Sequence, residues 1–272
     1  MVMSMKITKD SILYIKSEKD ILKLENAKRN LGGVFMSYSI KIGHIYPDLL
    51  DMYGDAGNIA SLTKRMIWRG YEAEVISFKL GDEINFSDVD IFLLGGGSDA
   101  AEKQAISALS TYKEDFKEYA EGGGCILALC GGYPMLGNYI LENGNKTDCL
   151  GILDIHTEKQ NTRFSGNICA NILFGEEYSI VGFENHFGKT FIGSHSPLLK
   201  LTKGAGNGDG YEGVLYKNVF ATYLHGPLLP KNPKLADEIL KRALKRKYGK
   251  EITLSELDDS LENVAHNQAK NL

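Results

Sequence analysis

A chain of 272 residues that is 43% hydrophobic has enough apolar material for a full core and needs no second domain to bury it. Its formal net charge of −4 argues against a general nucleic-acid or anionic-membrane surface, and no run of about 18 apolar residues reads as a transmembrane helix. The N-terminus has no compact apolar stretch of the secretory type, so a reducing cytoplasm is the expected compartment. The four cysteines, Cys125, Cys130, Cys149 and Cys169, include no Cys-x-x-Cys pair, which argues against zinc-site spacing and against a disulfide framework.

Residues 1–36 are charged, only weakly helical in pattern, and do not lead naturally into the first strand of the compact domain. The stretch Leu31 to Met36 reads as one that a ribosome-binding sequence ahead of a start codon would encode, and Met36 opens MSYSIKIGHIYPDLL. The expectation is therefore a loose arm or start-site artefact over 1–36, a single domain over 37–250, and a polar tail over 251–272 that adds little core. Intact-mass measurement of a native protein beginning at Met1 would remove the artefact reading.

Ile40–Tyr46 alternates as a first strand, and PDLLDMYGDAG (Pro47 to Gly57) is a turn-rich loop. Asn58 is a suitable N-cap for a helix running to about Gly70, with Ile59, Leu62, Met66 and Ile67 on one face. Glu74–Phe78 is a second strand. Val89–Leu94 is a third, apolar enough for the middle of a parallel sheet. It ends in Gly95-Gly96-Gly97-Ser98-Asp99 ahead of a helix over about Ala100 to Ala120. Three glycines there mean either backbone approaching a ligand or a tight strand-to-helix turn. The Gly-Lys-Ser/Thr of a P-loop is missing.

The fourth strand, Cys125 to Cys130, is again a short apolar run. It stops at Ala128-Leu129-Cys130-Gly131-Gly132, a strand, a nucleophile-capable residue, two glycines and the start of a helix. That is the layout of a nucleophile elbow, with cysteine in place of serine. A helix starting there would lower the thiol pKa. The competing reading is a buried core cysteine. The alternation of strands and helices implies a doubly wound, mostly parallel sheet with ligands at the carboxyl ends of its strands.

From Gly151 to Tyr223 the chain turns to short β segments: Ser165–Leu173, Ser179–Asn185, Gly213–Tyr216 and Val219–Leu224. Lys203–Gly213 is glycine-rich enough to read as a surface loop. Pro233–Tyr248 is an amphipathic helix with a basic exterior.

An elbow cysteine needs a base. His225 closes the strand VFATYLH, so the carboxyl ends of two strands can bring it to Cys130, and a Cys–His pair activates a thiol for acyl transfer. A strand-end histidine can equally be structural, and His186 in Gly182-Phe183-Glu184-Asn185-His186 is the rival base. His44, His156, His195 and His266 lack such context. The Gly131 amide, with Gly96 or Gly97, is placed to supply the donors a tetrahedral oxyanion requires. These parts specify attack on a carbonyl with loss of a leaving group, and spacing does not name that group.

LLGGGSD, LALCGGYPMLG, GFENHFG and TYLHGP, in this order, resemble class I glutamine amidotransferases of the cobyric acid synthase (CobB/CobQ) type, and within them the GatD family. YPDLLDMYGDAGNI, GILDIHTEKQNTRFSG and HGPLLPKNP extend the likeness over about residues 40–248. The resemblance implies a flavodoxin-like α/β fold with additional antiparallel strands. It implies Cys130 as the nucleophile on a glutamine side-chain amide, His225 as general base and acid, and Arg163 as the cation holding the substrate α-carboxylate. It also implies transfer of ammonia to a Mur-ligase-like (MurT family) subunit that amidates the D-glutamate of lipid II. ATP and magnesium would sit on that partner, with no cofactor and no metal in this chain.

One departure stands out. Most class I members follow the histidine with Pro-Glu, whereas His225 is followed by Gly226-Pro227-Leu228. The orienting acid would then come from the partner, or in the chain from Glu184. The alternatives are a cobyrinate-type amidotransferase, a stand-alone cysteine hydrolase of γ-glutamyl or peptide bonds, and a silent binding subunit.

Overall fold

The computed structural model describes residues 3–6 and 38–272. In chain order it runs β1 (Met3–Lys6), β2 (Ser39–Ile45), α1 (Pro47–Leu50), α2 (Ala56–Trp68), β3 (Glu72–Phe78), β4 (Ile91–Leu94), α3 (Asp99–Leu109), α4 (Lys113–Glu121), β5 (Cys125–Leu129) and α5 (Gly132–Met135). It continues through β6 (Tyr139–Glu142), β7 (Asn145–Asp148), β8 (His156–Ile172), β9 (Ser179–Phe191), β10 (Leu199–Lys203), β11 (Tyr211–Glu212), β12 (Val214–Tyr216), β13 (Val219–Thr222), α6 (Pro233–Tyr248) and α7 (Ser260–Lys270). The reading of residues 1–36 as a loose arm or artefact lies outside the described residues, except that β1 runs antiparallel along β3.

The main sheet has the order β1-β3-β2-β4-β5-β13-β12. From β3 to β13 every pairing is parallel. The five parallel strands stand second, first, third, fourth and fifth by chain position, which is the flavodoxin-like winding. Strands β4 and β5 are buried along their whole length, as their unbroken apolar runs require when helices cover both faces. One face packs Phe92, Ile126 and Tyr223 against Ile106, Phe116 and Tyr119 of α3 and α4. The other packs Ile91, Leu93 and Leu127 against Leu62 and Met66 of α2 and Ile239 and Leu240 of α6. A second, largely antiparallel sheet, β11-β10-β8-β6-β7 with β9 on β8, packs beside it.

Several local expectations are corrected. The helix expected over Ala100–Ala120 is two helices, broken by a 3₁₀ turn at Ser110–Tyr112 where Ser110 and Thr111 bond back to the carbonyls of Ser107 and Ala108. Asn58 is not an N-cap: it lies inside α2, and its buried amide accepts the Leu229 N–H at 2.8 Å. Strands β6 and β7 add a hairpin to those expected, closed by Asn143-Gly144, a two-residue turn with both residues at positive φ. Lys203–Gly213 is not wholly a surface loop, because Asn207 and Glu212 within it are buried. The tail is also more than an appendage. Ile252 and Leu254 join the core, and Asp259 reaches the buried Arg65 guanidinium at 2.6 Å.

Candidate active site

Cys130 follows β5 with φ of +50°, one of four described non-glycine residues in the left-handed region. A side chain there is strained, and the strain holds the thiol on a sharp bend at the carboxyl end of the sheet. The bend is fixed on both sides. The Cys130 N–H donates to the Thr222 carbonyl at 2.9 Å, and the Tyr133 N–H closes the turn onto the Cys130 carbonyl at 3.1 Å. Gly96 lies directly against the nucleophile, since a Cβ on it would stand 2.9 Å from the Cys130 Cβ and 3.2 Å from Sγ. The triple-glycine turn after β4 is therefore part of the site as well as a connection.

Strand β13 runs parallel beside β5 with Thr222 opposite Leu129, which places His225 just beyond the same sheet edge as Cys130. The His225 backbone is bridged to Phe183 of β9, its N–H donating to the Phe183 carbonyl at 3.0 Å. Its ring stacks on Tyr53, with centroids 4.4 Å apart. Its Nε2 is buried with no hydrogen-bond partner.

Neither member of the pair is charged at rest. Burial pushes the Cys130 thiol up to about 12; the nearby Glu102 and Asp55 add to this, and the Gly131 amide and Arg163 offset only part of it. Burial pushes His225 down to about 4, with His186 and Lys231 acting in the same direction. The expectation of a helix-lowered thiol pKa is thus corrected. Helix α5 is one turn long, too short to carry a large dipole, and burial wins.

Arg163 sits in a bulge. Strands β8 and β9 pair in register up to Lys159↔Gly188 and resume at Phe164↔His186, so Gln160 to Arg163 stand opposite Phe187. The guanidinium lies 5.2 Å from the Phe187 ring centre. Burial raises the Tyr53 hydroxyl pKa and Cys130 adds to that, while Arg163 opposes it, which places the guanidinium, the phenol and the thiol in one pocket.

The glycines expected to donate to an oxyanion are placed less simply. The Gly131 amide faces the Cys130 sulfur. The Gly96 N–H, however, donates to Asp55 Oδ2 and the Gly97 N–H to Glu102 Oε1, each at 3.3 Å. Burial pushes both carboxyls up to about 7, despite these amide bonds. Tyr53, Asp55 and Glu102 were missed in the sequence. The acidic loop DMYGD and the acid one turn past the triple glycine were the available signals.

Glu184 and His186, expected as a supporting acid and a rival base, are bonded to each other instead. Glu184 Oε2 lies 3.2 Å from His186 Nε2, and the carboxylate also accepts the Ala205 and Gly206 amides at 2.9 Å each. Glu184 therefore makes no bond to His225, and the in-chain candidate for the orienting acid is engaged elsewhere. Among the described residues, no group of three or more His, Cys, Asp or Glu could hold a metal ion.

A strained cysteine at the carboxyl edge of a flavodoxin-like sheet, with a histidine from the next parallel strand, is the layout of a cysteine acyl-transfer site, and the CobB/CobQ-like family match identifies the class as class I glutamine amidotransferase. The family model for the CobB/CobQ-like glutamine amidotransferase domain matches residues 41–233. The chain is 41% identical over 214 residues to the lipid II isoglutaminyl synthase (glutamine-hydrolyzing) subunit GatD of Staphylococcus aureus, covering 77% of this chain and 86% of that one. It is 39% identical over 230 residues to the subunit of the same name from Streptococcus pneumoniae, covering 82% and 88%. The chain belongs to the GatD family of CobB/CobQ-like glutamine amidotransferases. A solved glutamine amidotransferase from Thermotoga maritima shares the fold at a TM-score of 0.50 and 14% identity, covering 85% of this chain and 94% of its own.

Proposed function

We propose that this chain is the glutamine-hydrolysing subunit of a lipid II isoglutaminyl synthase, releasing ammonia to a Mur-ligase-like (MurT family) subunit. The partner would use ATP to amidate the α-carboxyl of D-glutamate in the lipid II stem. The observation that carries the chemistry is the left-handed Cys130 on its elbow, backbone-locked to the strand that leads to His225. The lipid II acceptor is supported by the names of the two GatD relatives, and a cytoplasmic setting is part of the same proposal.

In this reading the Cys130 sulfur attacks the side-chain carbonyl carbon of glutamine as its proton passes to His225. The oxyanion is held by the Gly131 N–H and by a Gly96 or Gly97 N–H turned away from its carboxylate. His225 then gives the proton to the departing nitrogen, so ammonia leaves and a γ-glutamyl thioester remains. Water activated by His225 releases glutamate and restores the thiol. Arg163, already facing Tyr53 and Cys130, holds the α-carboxylate bidentately.

The site also supports a role for the partner. An imidazole with no carboxylate neighbour and a depressed pKa is a weak base, and a carboxylate brought to it would raise its basicity and orient it. The partner is proposed to supply that acid.

The test is glutamine-dependent ammonia release by the chain with and without its Mur-ligase-like partner, beside Cys130→Ala. Release that rises with partner and vanishes in the variant is expected. Equal release from the isolated chain would remove the in-trans acid, and no release in either case would remove the function.

A further inference from the structure

The glycine-rich stretch 203–213 folds back into the protein and carries two buried polar side chains, Asn207 and Glu212, that the hydrolysis scheme leaves unused. Glu212, in β11, faces the strand that leads to His225. Its Oε1 accepts the Tyr223 N–H at 2.7 Å, and its Oε2 accepts the Thr222 hydroxyl at 2.7 Å. The same hydroxyl oxygen accepts the Leu224 N–H at 3.0 Å. A single side chain thus sets the whole segment from Thr222 to Leu224, directly ahead of the base. Thr222 is also the residue whose carbonyl accepts the Cys130 N–H at 2.9 Å. A carboxyl is a costly group to bury, and burial pushes this one up to about 8 in spite of both bonds. An apolar side chain would avoid that cost but leave the Tyr223 amide without its acceptor.

Asn207 faces the nucleophile's turn. Its orientation is fixed by Gly213, whose N–H donates to Oδ1 at 3.1 Å and whose carbonyl accepts from Nδ2 at 2.9 Å. Oδ1 also accepts the Tyr133 hydroxyl at 3.1 Å. Tyr133 belongs to α5, and its N–H closes the elbow onto the Cys130 carbonyl. The rings of Tyr133 and Tyr223 meet edge to face, with centroids 4.9 Å apart. Gly213 lets the loop come this close, because a Cβ there would collide with the Ala221 carbonyl oxygen.

We propose that Asn207 and Glu212 are positioning residues for glutamine hydrolysis: together they tie the turn after Cys130 to the strand before His225 and so set the spacing of thiol and imidazole. The proposal rests on Cys130 and His225 being the nucleophile and base of the hydrolysis scheme. Both lie just past the point where the paired register of β5 and β13 ends, at Leu129 and Thr222. Beyond it the 203–213 loop supplies fixed partners that the sheet does not. A displacement of about 1 Å between reacting groups costs on the order of 100-fold in rate.

The test compares Glu212→Leu, Glu212→Gln, Thr222→Val and Tyr133→Phe with wild type in ammonia release by the complex with its Mur-ligase-like partner, with His225→Asn as control. Rates are expressed per active site, counted by covalent titration of Cys130 with a diazoketone analogue of glutamine, so that misfolded chains do not enter. Glu212→Leu and Thr222→Val should lower kcat about 10- to 100-fold with KM for glutamine within about twofold. Tyr133→Phe, which loses one bond to a neutral acceptor, should lower it about two- to tenfold. Glu212→Gln still offers an acceptor to the Tyr223 amide and should stay within about threefold of wild type. A wild-type kcat per titrated site in Glu212→Leu and Thr222→Val, with fewer sites titrated, would make the loop merely structural and overturn the proposal. A raised KM at unchanged kcat would overturn it too, as would a Glu212→Gln enzyme as slow as Glu212→Leu. Tyr133→Phe at the wild-type kcat would overturn the part assigned to Asn207. Should Glu212→Leu yield no titratable site, the isosteric Thr222→Val decides. Ammonia release by His225→Asn at the wild-type rate would instead overturn the reading of the base beneath the proposal.

Discussion

Tyr53 stacks on His225 with ring centroids 4.4 Å apart and planes 28° from parallel, so the base is held by this ring as well as by its backbone bridge to Phe183. An aromatic contact of this kind contributes roughly 0.5–1.5 kcal/mol. If it fixes the reactive rotamer, Tyr53→Ala lowers kcat/KM for ammonia release about two- to tenfold while Tyr53→Phe keeps most of it. Steady-state kinetics on the complex decide this, and a Tyr53→Ala enzyme at the wild-type rate would show that the ring does not orient the base.

Arg163 is positioned by a bulge that no regular hairpin would provide, which makes its side chain specific to the site. Charge-assisted bidentate bonds to a carboxylate are worth about 1.5–3 kcal/mol. Arg163→Ala should raise KM for glutamine on the order of 10- to 100-fold with kcat less affected, and Arg163→Lys should recover only part because it lacks the planar fork. A fall in kcat at unchanged KM would assign the arginine to a different step.

The resting thiol is pushed up to about 12, well above the roughly 8.5 of a free cysteine. Since the thiolate is the reactive form, alkylation of Cys130 in the isolated chain at pH 7.5 should be slower than that of free cysteine and should speed up steadily with pH. Peptide mass spectrometry after timed iodoacetamide exposure separates Cys130 from the other three cysteines. Rapid labelling at neutral pH would mean that a thiolate is present before substrate binds.

Asp55 is fully buried, and its carboxyl is raised from 3.8 to about 7, chiefly by burial. Between those two values the folded chain binds a proton that the unfolded chain does not, so this group's contribution to stability falls as pH rises through the window. Asp55→Asn keeps an acceptor for the Gly96 amide and cannot ionise. It should be more stable than wild type at pH 8, by on the order of 1–3 kcal/mol, with the gap closing by about pH 4. Urea denaturation at the two pH values tests this.

Arg65 is 2% exposed and is neutralised from two directions, by Asp237 of α6 and by Asp259 just ahead of α7. Asp237 also bonds Arg69. Removing the shared partner leaves a buried guanidinium underpaired, so Asp237→Asn should cost about 3 kcal/mol. Asp259→Asn should cost less, because both Asp237 bonds to Arg65 survive it. Equal losses in chemical denaturation would show that the tail matters as much as α6.

The alternation of strands and helices, the elbow at Cys130, the histidine at the end of the next parallel strand and the helix Pro233–Tyr248 were all legible in the sequence. Each is a local pattern: a short apolar run stopped by glycines, a period of 3.6, or a proline at the first helical turn. The motifs in order also pointed to the GatD family. Pairings between distant segments had to await the packed chain. Glu184 bonds His186 rather than His225 because its carboxylate on β9 faces the 205–206 loop, a fact of register. Tyr53 and Arg163 meet through a long loop and a strand bulge whose conformations no periodicity encodes. The charge states changed most. A helix start beside Cys130 promised a low thiol pKa, but the degree of burial, which exists only once the chain is packed, sets it high and leaves the resting pair neutral.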